Sequence, residues 1–143
     1  MKRRLAIIIS AVLAVGTVLS SCQIEKVSDS NTNSSSDTIK IGVFEPLTGA
    51  NAGAGELEVE GIKLANKLYP EVNGKKIELV IVDNKSDKVE ASNAASRLIE
   101  KEKVTAIIGS YGSSLSMAAG DIVKKAKIPT VSTSATNPLV TKG

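Results

Sequence analysis

The sequence predicts an α/β fold, a Rossmann-like parallel sheet with flanking helices, and three observations carry that expectation. Strand-like and helix-like apolar patterns alternate from residue 38 onward. Around Ile77, Leu79 and Ile81, with Val80 and Val82 between them, both strand faces are apolar, as when helices cover both sides of a parallel sheet. Finally, Ala106 to Thr136 reads as a strand, a Gly and Ser turn, a helix, a second strand and a hydroxyl-rich turn. In a parallel sheet both turns fall at the carboxyl ends of neighbouring strands, where open α/β sheets bind ligands.

Residues 1 to 21 carry a basic head (Lys2, Arg3, Arg4), an apolar run from Leu5 to Leu19 and small residues before Cys22, the pattern of a secretory signal. The run is shorter than the roughly 20 residues that cross a bilayer, so it is not a stable span. Leu19-Ser20-Ser21-Cys22 resembles a bacterial lipobox, which implies that Cys22 becomes the lipid-modified amino terminus after cleavage. The residues alone leave open a free or disulfide-forming thiol behind an ordinary signal. As the chain has one Cys, no intrachain disulfide can form. Residues 22 to 37 are rich in Ser, Asn and Asp, with only Ile24 and Val27 as sizeable apolar side chains, and they predict a flexible tether.

The folded domain, 38 to 143, opens with Ile39, Ile41 and Val43 alternating with Lys40 and Gly42 in a strand that ends at Phe44. Pro46 to Gly53 is a loop by its Gly, Pro and Thr content. A helix follows from about Ala54 to Tyr69, its inner side expected at Leu57, Gly61, Ile62, Ala65, Leu68 and Tyr69. Pro70 stops it, and Asn73-Gly74 turns the chain into the strand around Leu79. Asp83 to Asp87 forms the next loop; its acids lack the ligand spacing and terminal Glu of an EF-hand and read as solvated turn residues. Lys88 to Lys103 predicts a second helix with Val89, Ala95, Leu98 and Ile99 inside. After the strand Ala106 to Ile108, a third helix carries the stripe Leu115, Ala118, Ala119, Ile122, Val123 and Ala126. A strand from Thr130 to Ser132 follows, and Asn137 can cap a helix beginning at Pro138.

Composition narrows the function. The chain has 18 basic and 15 acidic residues, but three of the basic ones lie in the signal, so from Cys22 onward the two signs balance. Charge therefore does not argue for nucleic acid. One Phe, two Tyr and no Trp leave little aromatic surface for stacking bases or sugars. Without His, and with the only Cys at the cleavage point, a transition-metal site is not expected. No cofactor is expected either. An enzyme would lack a His general base, a Ser-x-x-Lys pair and a Walker loop, and Gly109-Ser110-Tyr111-Gly112 does not match Gly-x-Gly-x-x-Gly.

The candidate site lies on the two polar turns. If Ser113 is the N-cap, its hydroxyl bonds one amide of the first helical turn, while the amides of Ser114 and Leu115 face outward with the positive end of the helix dipole. A small carboxylate fits there. The alternative is that Ser113 or Ser114 caps the helix and does nothing else. Ser132, Thr133, Ser134 and Thr136 place further hydroxyls at the same edge.

The stretch IIGSYGSSLSMAAGDIVKKAKIPTVSTSATNPLVT resembles the amino-terminal lobe of bacterial extracellular solute-binding proteins of the branched-chain amino acid (leucine-binding) type, the type I periplasmic binding proteins that serve ABC importers. The likeness runs upstream through IKIGVFEPLTGANAGAGELEVEGIKLA and covers roughly Thr38 to Gly143. It implies two α/β lobes with ligand between them, of which this chain holds the partial first lobe, so that half of the cleft would be supplied by sequence beyond it. It also implies that Thr48-Gly49 lies at the cleft mouth. A Tyr that leucine-binding members often carry is replaced near Ala54.

Carried over residue by residue, Ser113 with the following amides would hold a ligand carboxylate, and Ser134, Ala135 (through its backbone) and Thr136 would contact carboxylate and ammonium. Where the family often has Ala, this chain has Ser134. The implied function is a lipid-anchored, extracytoplasmic binding component of an amino-acid importer, with a small amino acid, an ABC permease and the membrane as partners. The alternatives are a ligand-sensing module of the same fold feeding a receptor, or a remnant without binding activity.

Overall fold

The structure, a computed structural model, describes residues 38–142; the signal, Cys22 and the tether lie outside the described residues. Its elements are β1 (Thr38–Glu45), α1 (Ala52–Leu68), β2 (Glu71–Val72), β3 (Lys75–Asp83), α2 (Lys88–Glu100), β4 (Ala106–Ile108), α3 (Ser113–Ala126), β5 (Thr130–Val131) and a closing 3-10 turn, Pro138–Thr141. The strands form one sheet in the order β2-β3-β1-β4-β5. Every pairing is parallel except β2 with β3. This is the expected Rossmann-like α/β layer, a mostly parallel sheet with flanking helices.

Strand β2 was not foreseen. Asn73 (φ 52°) and Gly74 (φ 75°) make a two-residue hairpin turn with positive φ at both positions, and it folds Glu71–Val72 back onto Lys75 and Lys76.

Alternation along the strands assigns the two faces. Phe44, Val80 and Val82 point to the side covered by α2 and α3, where they meet Ala91, Ala94, Ala95, Leu98, Val104, Ile107, Leu115 and Ala119. Val43, Glu45 and Ile81 therefore face the other side, towards α1. Small residues on α2 let it lie close against α3, and Leu98 and Phe44 fill the space between the helices and the sheet.

On α1 the expected inner side holds at Ile62, which is half-buried, and fails at its other positions. Leu57 (70% exposed), Leu68 (63%) and Tyr69 (73%) stand in solvent, while Gly55 and Val59 are the buried positions. The cause is close approach: a Cβ at Gly55 would collide with the carbonyl oxygen of Pro46, so only glycine lets the helix settle on the β1 loop. The stripe that reaches the sheet is thus the one with less apolar bulk. On α2, the helix ends at Glu100 instead of Lys103, and Val89 points outward. Asp87 caps it by accepting from the amides of Val89 (2.7 Å) and Glu90 (3.0 Å), a structural duty the solvated-turn expectation missed. The stripe on α3 is as expected at Leu115, Ala118, Ala119, Ile122 and Val123, but Ala126 in the last turn is exposed and Ser116 is buried in addition. Asn137 caps the closing turn, its side chain accepting from the Leu139 amide at 2.9 Å.

Candidate functional site

The strand order creates a switch point. From β1 the chain crosses to β3 on one side and then returns to β4 on the other, which opens a crevice at the carboxyl ends of β1 and β4. The loops after β1, β3, β4 and β5 all end at this rim.

The loops after β1 and β3 are clasped together. The Asp83 carboxylate accepts from the Thr48 hydroxyl (2.6 Å) and from the amides of Leu47 (2.8 Å), Lys85 (2.8 Å) and Thr48 (3.2 Å). Burial works to raise its pKa, but the Thr48 hydroxyl and these amides outweigh it and hold Asp83 below the usual value of 3.8. Asp83 is thus another acid with a structural task, where solvation alone was expected.

The loop after β4 is organised by buried serines. At Gly109 (φ 131°) a Cβ would collide with the Phe44 carbonyl, so glycine alone lets the turn fold over β1. Next to it, Ser110 is fully buried, accepting from Asn84 Nδ2 at 2.7 Å. Ser116 Oγ donates to the Ser110 carbonyl (2.9 Å) and lies 3.1 Å from Ser132 Oγ, so the ends of β4, α3 and β5 share one network. Sequence reasoning passed over Ser110, Ser116 and Asn84. The available signal was that Ser116 shares helical spacing with Ala119 and Val123, placing a hydroxyl on the core-facing stripe.

Ser113 does not cap its own helix. Gly112 (φ 88°) occupies the N-cap position without a side chain, and Ser113 is the first helical residue. Its Oγ instead accepts the amides of Thr136 (3.1 Å) and Asn137 (3.1 Å), binding the β5 turn to the α3 terminus. The amides of Leu115 and Ser116 return to the Gly112 carbonyl at 3.1 and 3.2 Å. Thus the outward amides are those of Ser113 and Ser114, which have no protein acceptor among the described residues, and not Ser114 and Leu115 as expected.

The two turns therefore do meet on one rim. Ser113 touches the backbone of Thr136 directly. Ser134 Oγ donates to Glu58 Oε1 of α1 at 2.5 Å, and Ala135, the next residue, is half-buried. Glu58 and Glu45 are the acids that sequence reasoning did not place at this rim. Glu45 is fully buried, with Oε2 accepting the Tyr111 amide at 2.6 Å. Burial pushes its carboxyl up to about 7; the Tyr111 amide opposes this, and the neighbouring Glu58 charge adds to it. The signal was a carboxyl ending an apolar strand at Phe44-Glu45-Pro46.

A groove of about 520 Å³ lies between α3, β5 and the closing turn, lined by Met117, Val123, Ile128, Leu139 and Val140. It borders Ser116 and Ser132 but includes none of Ser113, Ser134, Ala135 or Thr136. Among the described residues no group of His, Cys, Asp and Glu is placed to hold a metal ion.

Residues 38–143 match the family described as periplasmic binding protein. The chain is similar to an amino acid binding protein of Pseudomonas aeruginosa, 35% identical over 107 residues, which are 73% of this chain and 29% of the relative. Among solved structures, it resembles a leucine binding protein of Thermotoga maritima, with 47% identity and a TM-score of 0.72 over 73% of this chain and 30% of that one. It also resembles a branched-chain amino acid transporter substrate binding protein of Streptococcus pneumoniae in complex with isoleucine, with 38% identity and a TM-score of 0.71 over 74% of this chain and 31% of that one. The chain thus spans less than a third of the length of each of these relatives.

Proposed function

The chain belongs to the periplasmic binding protein family, and from that membership we propose that it is the amino-terminal ligand-binding part of a lipid-anchored substrate-binding component of an ABC importer for amino acids, branched-chain or similar. The three relatives described above are named for binding an amino acid, leucine and branched-chain amino acids, which supports this reading. The working location would be the extracytoplasmic face of the cell membrane, held by lipid on Cys22 behind the signal 1 to 21 and the tether 22 to 37, and the partner an ABC permease.

One observation carries the ligand assignment. A serine hydroxyl has two acceptor lone pairs and one proton, and at Ser113 both lone pairs are taken by the amides of Thr136 and Asn137. What remains is a donor. Beside it stand the bare amides of Ser113 and Ser114 at the positive end of the α3 dipole, so everything at this point donates and nothing accepts. A small carboxylate is the complement, and three such donors to a charged acceptor make strong hydrogen bonds. Ser134 is the opposite case. Its proton is given to Glu58, so its lone pairs remain to accept from an ammonium, and Ala135 and Thr136 are the two residues that join it to the Ser113 end. The rim is polar in the sense a zwitterion requires.

The test is a chimera in which residues 38 to 143 replace the matching segment of the Thermotoga maritima leucine binding protein, titrated calorimetrically with L-leucine, L-isoleucine and L-valine. Ser113→Ala and Thr136→Val are each expected to weaken binding by about 1 to 3 kcal/mol through a lost hydrogen bond to charge. Unchanged affinity in both variants would overturn the assigned roles.

A further inference from the structure

Thr133 Oγ1 lies 2.6 Å from Glu58 Oε2 and 3.2 Å from Glu45 Oε1. A hydroxyl has one proton, so it can donate to one of these oxygens and must accept from the other. An ionised carboxylate has nothing to donate, and the three-oxygen chain closes only when one of the two acids is protonated.

The surroundings say which. Glu45 is fully buried, and its Oε2 is taken by the Tyr111 amide at 2.6 Å, with Ser110 Oγ at 3.5 Å, which leaves Oε1 to carry the proton towards Thr133. Glu58 is half-buried and collects the two short bonds, from Thr133 at 2.6 Å and Ser134 at 2.5 Å, as a charged acceptor does. The chain therefore runs from the Glu45 O–H to Thr133 and on to the Glu58 carboxylate.

We propose that Glu45 and Glu58 are positioning residues for the ligand-binding turn: the Thr133 and Ser134 hydroxyls hold it to Glu58 on α1, a proton on Glu45 ties Thr133 to the end of β1 as well, and loss of that proton frees Thr133 from β1 and loosens the turn. This deepens the ligand-binding reading of that turn and rests on it. When the proton leaves Glu45, Thr133 faces two carboxylates with a single hydrogen, and two like charges face each other across it.

Among the described residues neither Glu45 nor Glu58 is in an ion pair. In register with Glu45 on β3 stands Asp83, itself an acid and spent on Leu47, Thr48 and Lys85. On α1, Glu56 and Glu60 are exposed acids, and from the β4 loop Tyr111 offers only its amide. The ion pairs among the described residues join Lys85 to Glu90 and Arg97 to Glu102, so neither cation serves this pair. Burial, which pushes the Glu45 carboxyl up to about 7, places the release near neutral pH.

The test is a pH titration of the 143-residue chain by NMR, following the side-chain carboxyl carbons of Glu45 and Glu58 and the amides of Tyr111, Thr133 and Ser134. The expected result is a Glu45 midpoint near 7, with all three amides moving at that same midpoint. Glu45→Gln keeps an N–H donor for Thr133 and a carbonyl for the Tyr111 amide, so it should hold the turn amides at their acid-side positions throughout. In Thr133→Val, Glu45 should still titrate while the Ser134 amide stops following it. Two results would overturn the latch: Glu45 titrating in the ordinary carboxyl range, or turn amides that still move near pH 7 in Glu45→Gln. Addition of L-isoleucine to the chimera, which carries a complete cleft, reads the ligand role separately, at the Ser113 and Ser114 amides. If those are silent while the pH coupling holds, the latch stands and the ligand reading falls.

Discussion

Replacing Glu45 by Gln should change how stability depends on pH, and the sign follows from where the proton sits. In the unfolded chain this carboxyl ionises near its ordinary value of 4.5; in the fold it does so near 7. Between those values the folded chain holds a proton that the unfolded chain has released, so unfolding free energy falls as pH rises. Below the window both states are protonated and the group contributes nothing; above it the full penalty of a buried charge is present, about 3 kcal/mol as an order of magnitude. Gln cannot ionise, and it keeps a donor for Thr133 and an acceptor for the Tyr111 amide. The variant should therefore gain on the parent steadily from pH 5 to pH 7 and hold the gain at pH 8. Urea unfolding followed by far-ultraviolet circular dichroism at each pH measures the difference, provided the slopes match between the two chains. Asp83 does not confuse the reading. Its pKa is depressed, so its contribution is present above its ordinary value of 3.8 and is lost as pH falls through the lower folded value, outside this window. Parallel stability curves for parent and variant from pH 5 to pH 8 would refute the reasoning.

Other substitutions probe the frame and the anchor. Gly55→Ala drives a methyl into the Pro46 carbonyl and should cost about 1 to 3 kcal/mol or more, read as a lower melting temperature. Leu57→Gln and Leu68→Gln touch side chains already in solvent, so the unfolding free energy should stay within about 0.5 kcal/mol, while solubility improves. Cys22→Ser should move the chain from the membrane fraction to the soluble fraction of expressing cells and abolish labelling by a fatty-acid probe.

Much of the fold was legible because a parallel sheet covered on both sides leaves a plain imprint. The β3 segment is apolar on both faces since Val80 and Val82 meet α2 and α3 while Ile81 faces α1. The α3 stripe could be read because its apolar side is also its buried side. On α1 the two differ. Its leucine-rich stripe of Leu57, Leu64 and Leu68 is exposed, and the stripe that touches the sheet mixes Val59 and Ile62 with Gly55 and Asn66. Periodicity reports apolar bulk, whereas close approach to the β1 loop depends on its absence, so the method selected the wrong side for a physical reason. Strand β2 escaped notice because two residues are too few to show alternation; only the Asn73-Gly74 turn announced it.

The site was legible as a place but not as a circuit. That hydroxyls gather at the carboxyl ends of β4 and β5 follows from chain order, and Ser113 does meet Thr136 there. What no spacing rule conveys is the direction of each hydrogen bond. Ser113 was expected to spend an acceptor on its own helix; instead Gly112 takes the cap position, and the serine is freed to saturate both lone pairs on the neighbouring turn. That exchange is what turns a capping residue into an outward donor. The same accounting at Thr133, with one proton between two carboxyl oxygens, identifies a buried acid 88 residues earlier in the chain as part of the turn's support. Counting donors and acceptors atom by atom thus separates the two ends of the rim, one giving protons and one receiving them, where residue types alone show only a run of serines and threonines.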